Sequence, residues 1–233
     1  MSFSQFSVSL ILHVEVKTFL WHISAAIETR YDEGMRHYLY IAAASMLLLT
    51  HQYAGAQEII RGTLLVATAD LAESTFSETV LLVLHHDQDG SIAIMINRPT
   101  NLAPMDAFPE LTSIENYSGN LYLGGPVSPS RAFVLVRQND IVNEGSVRIV
   151  DDVFLSGDFS LLSSLDASSL TDTYARVFAG HAQWGAGQLP AEVAAGAWRL
   201  ANGNATDVFS QAPLSLWEQA LSTHDEQIAA TSR

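Results

Sequence analysis

The sequence predicts an α+β fold: a single domain built on a strongly bent sheet, part of which packs on itself, with a few short helices. Three observations carry this. From Ile59 onward, short β-like runs rich in Val, Leu and Ile alternate with turn residues. Several of these runs, Thr79–His86 above all, are apolar without clean alternation, as expected of strands covered on both faces. Few helices are available to provide that cover, and no Pro/Ser/Gly-rich linker divides Ile59–Leu221, so the sheet must bend round and cover itself.

Taken in order, the chain opens with segments that stand apart from the fold. Met35-Arg36-His37 gives a positive start, Tyr38–Leu49 is largely apolar, and Ala54-Gly55-Ala56 forms an A-x-A site before Gln57. That pattern predicts a signal peptide over 35–56, too short to span a bilayer comfortably. Met1–Gly34 then reads as a non-native upstream extension or a disordered segment, with translation starting at Met35. The domain proper is expected over 57–221, followed by a frayed polar tail over 222–233.

Gly62–Thr68 reads as the first strand and Asp70–Ser77 as a polar turn. Thr79–His86 and Ser91–Asn97 flank Asp87-Gln88-Asp89-Gly90, and an Asp-Gly turn between two apolar runs is a strong local hairpin signal. Pro99 ends the second strand because proline cannot donate to a ladder. Asn101–Ser118 reads as loop with one helical turn. Leu121–Leu123 leads into a tight turn at Gly124-Gly125-Pro126. Ala132–Arg137 and Val147–Leu155 read as strands around an Asn139–Gly145 turn, and Asp158 is placed to cap a helix at Phe159–Leu165. Tyr174–Ala179 reads as a strand entering a Gly/Trp-rich corner, Gly180–Pro190, around which the chain is organised. Pro190 suits the first position of a helix ending at Trp198, and Leu214–Leu221 forms the last helix.

Charge narrows the function. The chain carries −14 overall, and from Gln57 onward it has eight arginines, no lysine and 21 acidic residues. Nucleic acid is held mainly by cations on phosphate, so nucleic-acid partners and anionic membranes are disfavoured. With no cysteine there is no disulfide, thiolate metal site or thiol nucleophile.

The chemistry-bearing candidates are few. His85, Asp87, Asp89 and Gly90 space like the start of a calcium loop, but His85 stands at the first position and Ile96 where a bidentate glutamate belongs. A solvated hairpin turn explains them better, and no metal or cofactor is expected. His85 with Asp87 could form a base and its orienter, yet no nucleophile is in view. The candidate binding surface is a rim of Asn97 and Arg98 at a strand end, Gly124 and Gly125 in a turn, and His181, Trp184 and Gln188 in the corner. Trp198 and Trp217 read as core anchors. Nucleophile-elbow and zincin motifs are absent, which leans away from catalysis without deciding it.

These pieces together resemble the YqgE/AlgH family of bacterial proteins. The resemblance rests on Gly62–Ala67, Phe76–Leu84, Gly90–Pro99, Leu123–Val127, Gly180–Trp198 and Asp207–Trp217, and covers roughly Ile59 to Leu221. It implies a coiled, bifurcated, mostly antiparallel sheet, and it brings no mechanism or catalytic set. The chain departs from the family's pattern at His181, where tyrosine is more usual, at Gln183, where glycine is common, and at Ala93, another usual glycine. Some family members carry a transcriptional-regulator label and are cytoplasmic, which an exported chain could not share as a DNA-binding protein. The expectation is therefore a non-enzymatic interaction or accessory domain, exported to the periplasm, that offers its rim to a protein partner or small ligand. The rivals are a cytoplasmic transcriptional regulator and a hydrolase using His85 or His181.

Overall fold

A computed structural model describes residues 57–138, 145–164 and 169–231, which belong to one compact unit. The expected leader, the segment before it and most of the Asn139–Gly145 turn lie outside the described residues. The fold is α+β. The strands are β1 (Thr63–Ala67), β2 (Val80–Asp87), β3 (Gly90–Met95), β4 (Leu121–Leu123), β5 (Val127–Arg137), β6 (Val147–Val150), β7 (Val153–Ser156), β8 (Ala175–Gly185) and β9 (Trp198–Asn202). The helices are α1 (Pro104–Ala107), α2 (Gln188–Ala194), α3 (Ala205–Val208) and α4 (Leu216–Thr231), with short 3-10 turns between elements. No helix among the described residues is long and apolar enough to cross a membrane.

The strands form one sheet in the order β6-β7-β5-β8-β3-β2-β1-β9, with β4 off this path and parallel to β8; every other pairing is antiparallel. β8 is the hub. β5 lies along one edge, while β4 takes Val177–Ala179 and β3 takes Ala182–Gly185 of the other. That shared edge is where the sheet forks. The β2–β3 hairpin turns as expected, because the Asp87 carboxylate accepts from the backbone N–H groups of Asp89 and Gly90 at 2.9 and 3.2 Å.

Both faces of the sheet are buried, in three apolar clusters. Coiling gathers Leu64, Leu82, Ile94, Leu135, Ile149 and Phe178 on the inner face, although they come from strands far apart in the order. Val134, Val136 and Val177 pack outward under the 3-10 turns, with Ile114 and Leu162. Leu65, Leu81, Val83 and Trp184 pack outward under α2. Hence Val80–Leu84 is buried at every position, since alternate residues point to opposite covered faces.

Several expectations need correction. Val147–Leu155 is not one strand but the β6–β7 hairpin, folded at Asp151 with φ +45°. The strand expected to stop at Ala179 runs on to Gly185, irregular only at Gly180, and the turn comes at Gly187, φ +72°. Pro190 is the third residue of α2, and Trp198 does not end that helix; it opens β9, which pairs with β1. The tail from Ser222 is helical to Thr231, as the continuation of α4.

Candidate functional site

Two irregularities at the hub decide which side chains reach the inner face. On β8, Ala175, Val177 and Ala179 point outward while Phe178 points inward. Strict alternation would send His181 outward. Gly180, at φ +69°, interrupts it: Ala182 and Trp184 pack in the outer cluster under α2, and His181 and Gln183 go inward. A glycine in the left-handed region is the usual way a strand gains one residue and shifts its facing. Opposite it, β5 bulges between Val127 and Ala132, with Ser128 at φ +50°. Bulges of this kind re-aim side chains beside functional sites.

The result is a groove of about 490 Å³ at the mouth of the coiled sheet. Leu84, Ile92, Phe133, Val147 and Leu155 give it an apolar floor. Ser128, Arg131, His181 and Gln183 come from the two bulges, and Arg61 and His85 stand on the opposite rim. The Phe133 and His181 rings meet edge to face at 5.9 Å between centroids. His181 is 7% exposed, Nε2 reaches Gln183 Oε1 only at 3.5 Å, and buried Nδ1 has no hydrogen-bond partner. Buried polar atoms are rarely left unpaired in folded proteins. Arg61 Nε donates to the Leu84 carbonyl at 3.2 Å. Among the described residues no aspartate or glutamate lines the groove, although the chain carries −14.

Of the rim expected from sequence, His181 alone lines this groove. Asn97 is 2% exposed, accepting from the Val80 N–H and donating to the Glu78 carbonyl, both at 2.9 Å. Arg98 donates to the Ser77 carbonyl and, at 3.3 Å, to Thr79 Oγ1. Both residues brace the bend that leads into β2. Gly124 and Gly125 are where the β4–β5 connection crosses β8. A Cβ on Gly124 would sit 2.2 Å from the Gly180 oxygen, and one on Gly125 2.2 Å from the His181 carbonyl carbon.

Trp184 belongs to the opposite face. Its indole N–H and that of Trp198 both donate to Glu192 Oε2, at 2.9 and 2.8 Å, while Gln188 Nε2 donates to Glu192 Oε1 at 3.0 Å. Phe76 stacks on Trp184 at 6.3 Å. This is an aromatic clamp that fixes α2 to the sheet, and Gln188 serves it at the surface. Arg131 and Gln183 owe their facing to two bulges that local pattern does not announce.

His85 and Asp87 are in contact, Nε2 to Oδ2 at 2.8 Å. No group of three or more His, Asp or Glu residues suited to a metal occurs among the described residues. The Asp89 N–H and then the His85 ring hold the Asp87 carboxyl below its ordinary value of 3.8. A carboxyl depressed by folding adds stability above its unfolded value and loses it as pH falls. The melting-temperature gap between the native chain and Asp87→Asn, which keeps the turn acceptor, is therefore expected to be widest above pH 3.8 and to close below it. Thermal melts across that range measure it.

A family model described as AlgH-like matches residues 64–229. A UPF0301 protein from Cytophaga hutchinsonii is 34% identical over 164 residues, covering 70% of this chain and 88% of that protein. Another from Streptomyces avermitilis is 34% identical over 174 residues, covering 73% and 89%. Among solved structures, the solution structure of the AlgH protein from Pseudomonas aeruginosa aligns with a TM-score of 0.58 at 23% identity, over 75% of this chain and 91% of that one. A crystal structure from Corynebacterium diphtheriae also aligns at 0.58, with 21% identity, over 72% and 89%. At these identities the solved structures establish a shared fold.

Proposed function

We propose a binding role for this chain, which belongs to the AlgH-like family: it is a non-enzymatic interaction or accessory domain whose working surface is the groove at the mouth of the coiled sheet. The observation that carries the reading is the pairing of two bulges, on β5 and β8, which together turn Arg131, His181 and Gln183 onto an apolar floor. A groove of about 490 Å³ falls within the range of about 300–1,000 Å³ typical of small-molecule sites, which favour the mouths of curled β structures. Among the described residues Ser128, the hydroxyl in the lining, makes no hydrogen bond to His85 or His181, whereas covalent catalysis pairs a nucleophile with a base. Export behind the 35–56 leader is part of the same proposal, and the acidic balance supports a role away from nucleic acid.

The apolar anionic dye anilinonaphthalene sulfonate tests the groove. The folded chain is expected to bind one equivalent, Gln183→Trp to weaken it at least about tenfold by filling the mouth, and Trp184→Phe to leave it unchanged. Equal binding by the native chain and Gln183→Trp, measured by fluorescence titration on protein with native circular dichroism, would remove the groove from the account.

A further inference from the structure

Resting on the groove as the binding surface, we propose that its ligand is a single-chain amphiphile: an unbranched apolar chain ending in one carboxylate. The lining divides by chemistry. The floor is made by Leu84, Ile92, Phe133, Val147 and Leu155 from five different strands, a continuous apolar bed. At about 30 Å³ per water-sized group, a volume of about 490 Å³ has room for about sixteen, enough for a medium-length acyl chain. A sugar or nucleotide laid there would bury hydroxyls against aliphatic carbon with no partners, which is costly.

The head group follows from charge. Arg131 stands two residues before Phe133 on β5 and lines the same groove. It is exposed, and among the described residues no hydrogen bond or ion pair engages it. Its planar fork matches a carboxylate in two parallel hydrogen bonds. His181 lines the same groove, but its unpaired Nδ1 is sealed from the groove by neighbouring atoms, so Arg131 carries the head-group contact. With Arg61 also on the rim and no acidic side chain among the described lining residues, the groove is a cationic recess in a chain of −14. A cleft lined by one sign of charge concentrates ligands of the other. Among the described lining residues a cationic amphiphile finds no counter-charge, and a neutral one such as an alcohol offers a single uncharged oxygen, which cannot fill both arms of the Arg131 fork as a carboxylate does.

Isothermal titration of the full chain with dodecanoate and dodecyltrimethylammonium, each below micelle formation, and with dodecanol below its solubility limit, tests this. Dodecanoate is expected to bind at one site at least about tenfold tighter than dodecanol, the scale of one hydrogen bond to a charged group, and the cation not to bind. Arg131→Gln, a change at an exposed position, should bring dodecanoate down to the affinity of dodecanol and leave dodecanol unaltered. Equal affinities for dodecanoate and dodecanol, or a carboxylate preference that survives Arg131→Gln, would overturn the proposal. Binding of the dye in the groove without binding of dodecanoate would overturn it while the groove reading stood; failure of both ligands would end both.

Discussion

Gly180→Ala is expected to cost about 3–5 kcal/mol, at the severe end for a single substitution, and to abolish binding in the groove of whatever protein still folds. Two effects add. At φ +69° an alanine pays the left-handed penalty, about 1–2 kcal/mol. Its Cβ would also lie 2.5 Å from the Gly125 oxygen and 2.9 Å from the Val127 oxygen, both backbone atoms of the crossing segment. Neither can move without displacing the β4–β5 connection from β8. Gly187→Ala separates the two effects. It has nearly the same backbone angle, φ +72°, and nothing within 4 Å of the added carbon, so it should lose only the conformational penalty. Urea unfolding of the two variants beside the native chain gives the comparison. Equal losses would mean that the crossing is not the tight point it is taken to be.

Arg176→Met is the second large effect, with an expected loss of about 3–5 kcal/mol. Arg176 is 1% exposed and lies on the inner face of β8. Its Nε donates to the Asp172 carbonyl at 3.0 Å, Nη1 to the Val208 carbonyl at 2.7 Å and Nη2 to the Ser210 carbonyl at 2.5 Å. The guanidinium sits 4.7 Å over the Tyr122 ring and 5.6 Å over that of Phe209. Burial pushes its pKa down, yet a guanidinium stays charged in proteins, so the three carbonyls are what keep that charge tolerable inside. Methionine fills most of the space but leaves three acceptors without a donor, each worth about 1–3 kcal/mol when buried. Arg176→Lys should recover part of the loss, because one ammonium cannot span the fork of three carbonyls. The ends of β8 and α3 are joined through this residue, so the loss should show as a lower urea midpoint with an unchanged slope.

The fold is legible in the sequence wherever a local device carries the information. The Asp87–Gly90 turn names its hairpin, and Val80–Leu84, apolar at every position, shows a strand buried on both sides. The bent sheet follows from a shortage of helices to cover such strands. What escaped is long-range or local without a marker. The β6–β7 hairpin turns on Asp151 in a positive-φ conformation without glycine, so Val147–Leu155 reads as one run. β9 hides behind α2 because Trp198 looks like the end of a helical stretch.

The candidate site escaped for a related reason. His181 and Trp184 are neighbours in sequence and both suit a binding corner, but the residue gained at Gly180 sends them to opposite faces of the sheet. Asn97 and Arg98 look like a presented strand end, and their hydrogen bonds instead run back to residues 77–80. Phe133 sits in regular register beyond the β5 bulge, but the bulge that brings Ser128 and Arg131 to the same groove is announced by nothing in Ser128-Pro129-Ser130.

On the proposed reading this chain uses the inner mouth of the coiled sheet, and not the Trp184 face, as its binding surface. Intermolecular nuclear Overhauser effects from bound dodecanoate to methyl-labelled protein test it most directly. Contacts are expected from the bound acyl chain to Ile92, Val147 and Leu155. Contacts instead to Leu189, Val193 and Leu200, the methyls around Trp184 and Trp198, would contradict it.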